Sequence, residues 1–205
     1  KTPIAAARLL LQSREEEEEQ DAAFIREMKL EVFKIEQYVE MVLAYLRMEE
    51  MSSDLDFREY SLDDVIRQAV RKYSRMFILK RIRLDFTETG RTVLTDEKWL
   101  VFVLEQILSN ALKYTKEGSI SIYMEGDELA IRDTGIGISP EDLPRVFEKG
   151  FTGYNGRRDK KSTGIGLYLC KSVLDRLGHK IRIQSEVGRG TKVLLDLERE
   201  ELRPE

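Results

Sequence analysis

Long apolar runs are missing from this 205-residue sequence, and stretches such as Trp99 to Leu104 are the longest it has. A helix needs about 20 apolar residues to cross a bilayer, so none is expected here, and no signal peptide opens the chain. Cysteine is nearly absent: Cys170 stands alone, so no internal disulfide can form and a reducing compartment is expected. Basic excess is missing too. The net charge of -4 argues against a nucleic-acid partner. Histidine occurs once, as His179.

What is present suits a globular protein with solvated helices, with 35% charged and 41% hydrophobic residues. Residues 1–50 hold 7 basic and 12 acidic side chains, against 27 and 26 in the rest, so the acidic excess is N-terminal. Those fifty residues read as two helices. Ile4, Ala5, Leu9 and Leu10 begin one apolar face, and Glu15–Glu19 makes a solvated hairpin tip. Phe24, Met28, Val32, Ile35, Val39, Val42 and Leu46 follow in steps of three and four, a coiled-coil-like seam. A hairpin of this size cannot cover its own stripe, so a homodimer through residues 1–50, closing a four-helix bundle, is expected.

Residues 51–58 read as a linker and 59–198 as the second domain, with 199–205 as a tail. Ser61 caps a helix whose first turn carries Asp63 and Asp64, where they favour the helix dipole. Ile82, Leu84 and Phe86 alternate as a strand, Asp96 to Thr115 reads as a helix, and strands Ser119–Glu125 and Glu128–Asp133 flank Gly126-Asp127. A helix from about Gly164 to Leu177 and strands Lys180–Ser185 and Thr191–Leu197 complete an α+β class, a two-layer sandwich.

Three segments carry the chemistry. Gln106, Asn110, Lys113 and Tyr114 fall on neighbouring faces of one helix. Asp133-Thr134-Gly135-Ile136-Gly137 runs from a strand end into a glycine turn, and Thr163-Gly164-Ile165-Gly166-Leu167 opens a helix. Singly, each is an ordinary turn or surface helix; Gly164–Leu167 lacks the third glycine and preceding strand of a dinucleotide fingerprint. In this order and spacing they resemble the N, G1 and G2 boxes of the GHKL ATPase and kinase superfamily. Phe147-Glu148-Lys149-Gly150-Phe151 resembles the F box of sensor histidine kinases, Gly188-Arg189-Gly190-Thr191 their last glycine motif, and Lys1-Thr2-Pro3 the end of their H box. The tract from Asp96 to Leu169 is similar to intramembrane-sensing kinases of the bacitracin-responsive type, which work with peptide-exporting transporters.

The resemblance implies a GHKL ATP-binding fold, Mg2+ and ATP as cofactors, and histidine autophosphorylation followed by transfer to the aspartate of a response-regulator receiver domain. It implies the cytoplasmic domain of a protein anchored in the bacterial membrane. Asp133 would accept the adenine amino group, with Gly135 and Gly137 allowing the backbone close to the base. Tyr114 and Thr191 would line the pocket, Asn110 would ligate Mg2+, and Lys113 would reach the phosphates. Thr163, Gly164, Gly166 and Leu167 would present a helix N-terminus to an anion. Residues Ser139 to Thr163 resemble a lid, with Arg157 and Lys161 meeting phosphate. Hydrolytic relatives have a glutamate at the place of Gln106; an amide cannot act as a base, which fits phosphoryl transfer. The phosphoacceptor would lie three residues ahead of Lys1, and Thr2, one helical turn after it, would orient water for dephosphorylation. His179, at a helix end, is expected to be a surface turn residue. A GHKL ATPase or serine kinase is the alternative, and a catalytically silent dimeric scaffold the third reading. The hairpin argues against the former, and the intact asparagine, aspartate and glycine set against the latter.

Overall fold

The steps of three and four from Phe24 to Leu46 are realised as one 30-residue helix, α1 (Glu19–Met48). The computed structural model describes residues 19–48, 55–153 and 163–198. Thr2, the rest of the first helix and of the H-box remnant, Arg157, Lys161 and the tail lie outside the described residues. The chain divides into two compact units after Met51. Along α1, Phe24, Met28, Ile35, Val39, Val42 and Leu46 are exposed, as is Leu43. Ile25, Met41, Ala44 and Met48 are buried, so the helix carries a second apolar face that the seam did not announce.

In the second unit, β1 (Arg58–Ser61) begins within the span expected as linker. Ser61 then caps α2 (Leu62–Lys80), its hydroxyl accepting the Asp64 N–H at 3.3 Å. The buried face of α2 (Leu62, Val65, Ile66, Ala69, Tyr73 and Phe77) keeps the helical period. Strands β2 (Arg83–Phe86) and β3 (Thr92–Thr95) come next; β3 pairs antiparallel with β1 in a two-stranded sheet. β1 and β3 are short and carry no clear run of alternating apolar residues, so the sequence pattern does not reveal them. Asp63 does more than favour a dipole. Its Oδ1 accepts the Thr89 N–H at 2.8 Å and hydroxyl at 2.9 Å, and its Oδ2 accepts the Gly90 N–H at 3.0 Å. It thereby fastens the turn that leads into β3.

Helix α3 (Glu97–Tyr114) is capped by Asp96 and buries Trp99, Leu100, Val103, Leu104, Ile107, Leu108 and Ala111. Strands β4 (Ser119–Glu125) and β5 (Glu128–Asp133) form the hairpin read from sequence. Gly126 takes φ 64, the positive value a II′ turn needs at its first central residue. Helix α4 (Gly166–Leu177), β6 (Lys180–Glu186) and β7 (Gly190–Asp196) complete the unit. The five-stranded sheet has the order β2-β4-β5-β7-β6, with β2 parallel to β4 and every other pair antiparallel. Helix α3 packs between α2 and α4 and against β5, giving the two-layer α+β sandwich.

Register sets the core. Ile122, Ile131, Val193 and Ile183 form one cross-strand row, and Met124, Leu129, Leu195 and Ile181 the next. Asp133 follows Leu129 and Ile131 at the period of two, so it points to the same face.

His179 corrects an expectation. It is 1% exposed rather than a surface residue, with Nε2 3.1 Å from the Thr95 hydroxyl. Gly178 ends α4 in the left-handed region (φ 77), and the His179 N–H returns to the Leu174 carbonyl, turning the ring inward as β6 starts.

Thr115, fully buried at the end of α3, has an Oγ1 with no hydrogen-bond partner among the described residues. Its extended backbone (φ -95, ψ 120) suits valine equally. Thr115→Val is expected to stabilise by about 1 kcal/mol, raising Tm by roughly 2–4 °C. An unchanged or lower Tm in calorimetry would mean the hydroxyl is satisfied.

Candidate functional site

Asp133 stands where β5 leaves the sheet, with the side chain 7% exposed. Its Oδ1 accepts two backbone N–H groups, from Gly135 at 2.8 Å and Thr191 at 3.2 Å. Burial pushes its carboxyl above the ordinary carboxylate range, opposed by those two donors. No hydrogen bond to Oδ2 joins them among the described residues, so this oxygen remains an acceptor for a further donor.

The glycine turn fits closely against its own protein. A Cβ on Gly135 would lie 2.6 Å from the Tyr114 carbonyl oxygen, which also accepts the Ile136 N–H at 3.2 Å. Gly137, at φ 72, would bring a Cβ within 2.1 Å of the Glu186 carbonyl oxygen. Glycine is therefore required here by α3 and by the β6–β7 turn. These protein contacts are a reason for glycine that stands beside the expected close approach of the backbone to a base.

Ser185 went unnoticed in the sequence because nothing distinguishes it from any strand serine. Its hydroxyl accepts the Ile138 N–H at 2.9 Å, donates to the Gly190 carbonyl at 2.8 Å and lies 2.9 Å from the Thr191 hydroxyl. It ties the turn after β5 to the start of β7. Asp133, Gly135, Tyr114 and Thr191 thus meet in one cluster, with Gly137 on its scaffold side.

A second cluster joins α3 to α4. Gln106 is also 7% exposed, and its Oε1 lies 3.4 Å from where a Gly166 Cβ would stand. Ile165, at the N-cap of α4, supplies no side-chain cap, and no acidic residue occupies the first turn. Those N–H groups and the helix dipole suit an anion. Asn110 lies one turn beyond Gln106 and one before Tyr114, half-buried between the clusters. The Lys113 ammonium sits 5.2 Å from the centre of the Tyr114 ring. Glu105 is turned away, as the helical period requires, and pairs with Lys72 of α2 at 2.6 Å.

Thr163, exposed, accepts the Ile165 N–H at 3.4 Å. Gly164, at φ 67, would bring a Cβ within 2.4 Å of the Gly150 backbone, and its carbonyl accepts the Gly150 N–H at 2.9 Å. Leu167 is half-buried in the first turn of α4.

Residues 95–201 match the family model described as histidine kinase-, DNA gyrase B-, and HSP90-like ATPase. Over 201 residues the chain is 34% identical to the sensor histidine kinase YxdK of Bacillus subtilis (strain 168), covering 94% of this chain and 60% of that protein. It is 34% identical over 195 residues to the sensor protein BceS of the same organism, covering 93% of this chain and 57% of BceS. The chain thus spans under two thirds of the length of these relatives. The crystal structure of full-length ShkA in complex with AMPPNP superposes with a TM-score of 0.65 at 20% identity, covering 95% of this chain and 42% of ShkA. That likeness speaks to the fold.

Proposed function

The chain belongs to the histidine kinase-, DNA gyrase B- and HSP90-like ATPases, and from that membership we propose that it is the kinase core of a sensor histidine kinase. Its reaction is ATP-dependent phosphorylation of a histidine, followed by transfer to the aspartate of a response-regulator receiver domain. In this reading residues 1–50 form the dimerisation hairpin, 51–58 the linker and 59–198 the ATP-binding domain.

The carrying observation is the Asp133 carboxylate, buried and held through Oδ1 by two backbone donors, with Oδ2 left to accept an adenine amino group. Bound ATP supplies the phosphoryl group, and Mg2+ spreads its negative charge. Tyr114 flanks the base, and the N–H groups at Gly166 and Leu167 face the phosphates with Lys113 as a point charge. Asn110 offers one neutral oxygen to the metal. Among the described residues no group of three or more His, Cys, Asp or Glu could hold a metal, and Asn110 is the residue that would meet a cation taking few protein ligands. Gln106 takes no proton from water, which favours transfer over hydrolysis.

His179 is the chain's sole histidine and is bonded to Thr95 inside the core, so the acceptor is carried outside these 205 residues. In the reading, that part also holds the membrane anchor and meets a peptide-exporting transporter. No described helix is long and apolar enough to cross a membrane. The protein carrying the residues ahead of Lys1 is expected to gain an acid-labile phosphate from labelled ATP. A phosphate mapped to His179, or none despite bound ATP, would overturn the reading.

The α1 stripe supports pairing of two copies through residues 1–50. Ile35 is 50% exposed and Val39 45%. Ile35→Asp leaves an isolated chain intact but buries an unpaired charge in the pair, costing roughly 3–5 kcal/mol. Light scattering should find monomers that still bind ATP, because the site residues lie in the second unit. A dimer of unchanged stability rules this surface out.

A further inference from the structure

Asp96 makes two hydrogen bonds, and one of them is unnecessary for capping a helix. Its Oδ1 accepts the Trp99 N–H at 3.2 Å, the bond that starts α3. Its Oδ2 accepts the Asp56 N–H at 3.1 Å. Asp56 lies 40 residues earlier, in the short segment through which the chain enters the second unit ahead of β1. The carboxylate is buried, so neither bond competes freely with water.

The neighbouring residue adds a third tie. Thr95 is fully buried, and its hydroxyl meets His179 Nε2 where α4 passes into β6. A two-residue joint, Thr95-Asp96, therefore holds the entering segment, the first turn of α3 and the far end of α4. Those two helices carry Gln106, Asn110, Lys113 and Tyr114, and Gly166 and Leu167. A capped helix in a close-packed core moves as a body, so displacement at its first turn reaches residues three turns on.

We propose that Asp96 is a positioning residue that couples the segment at Asp56 to the nucleotide helix α3. This rests on the nucleotide-site reading above. Nucleotide at the distal half of α3 and the position of the entering segment then act on each other, and the coupling is reciprocal. A cap alone would not produce it.

Two variants separate the roles. Asp96→Ser keeps a good N-cap, because a serine hydroxyl reaches the Trp99 N–H, but it has no second oxygen for Asp56. Asp56→Pro deletes the donor and leaves the cap untouched. Hydrogen exchange over residues 55–58, with and without Mg-ADP, is measured on the full chain alongside ADP affinity and Tm. In the wild type, ADP slows that exchange. In Asp96→Ser, exchange should be about ten- to a hundredfold faster, the factor one hydrogen bond to a charged group represents, and should no longer respond to ADP. Its ADP affinity should fall by up to the factor by which ADP slows that exchange in the wild type, because the coupling is reciprocal, although no site contact is removed. Asp56→Pro should abolish the response equally, and the double variant should add nothing further. An undiminished ADP response in Asp96→Ser overturns the proposal, as does additive loss in the double variant. A wild-type chain that binds no ADP would sink the nucleotide-site reading instead. The unliganded exchange rates of Asp96→Ser and wild type would still decide whether Asp96 anchors the segment.

Discussion

Asp133→Asn is expected to weaken Mg-ADP binding about ten- to a hundredfold while the domain stays folded. The two oxygens of Asp133 have different tasks. Oδ1 accepts the N–H groups of Gly135 and Thr191, and an asparagine carbonyl in that place accepts both. The amide nitrogen then replaces Oδ2 and presents donors where the ligand's amino group also donates. Asp133→Ala behaves differently. It strands two buried N–H groups, at about 1–3 kcal/mol each, so stability and binding fall together. Calorimetry with thermal melts separates the cases: unchanged affinity in a folded Asp133→Asn removes this residue from the ligand. Affinity should also fall on acidification before ordinary surface carboxylates titrate, because burial already raises this carboxyl.

Gly190→Ala is expected to cost roughly 3–5 kcal/mol of stability. Gly190 has φ 97, which an alanine adopts only with strain, and its added Cβ would stand 2.0 Å from the Asp133 carbonyl oxygen. Relief requires pulling β7 from β5, which also draws the Thr191 N–H away from Asp133. Gly188 in the same turn is the control. It has φ 80 with open space around it, so Gly188→Ala should cost only the backbone strain, about 1 kcal/mol. Equal losses in denaturant melts would show that backbone conformation, and not the β5 contact, makes Gly190 necessary.

Much of the α+β core was legible because its signals are local. Ser61 and Asp96 declare helix starts, and Gly126-Asp127 between alternating runs declares a hairpin. The misses share one cause: each depends on a partner far along the chain. Asp63 looks like a first-turn acid until Thr89 and Gly90 reach it, and His179 looks like a turn residue until Thr95 closes over it. Strands β1 and β3 have four residues each and are defined only by one another. The glycines of the turn after Asp133 were recognised as necessary, yet what they approach (Tyr114 and Glu186) appears only in three dimensions. On α1 the exposed stripe was readable from its period, whereas burial of Ile25, Met41, Ala44 and Met48 was not.

Strand β5 joins the two hairpins of the sheet, and that has a consequence for the order of folding. The β4–β5 and β6–β7 turns close over a few residues, so each hairpin forms rapidly from local contacts. Pairing β5 with β7 must close a far longer loop, since Asp133 and Thr191 are 58 positions apart. Non-local pairings of this kind are the slow steps of folding. The bond between Thr191 and Asp133 is made only then, so under the proposed function neither hairpin alone possesses the ligand site. In that reading nucleotide selects the finished sheet over every partly assembled one, and by mass action the whole domain gains stability that grows as RT ln(1 + L/Kd), with L the free nucleotide concentration.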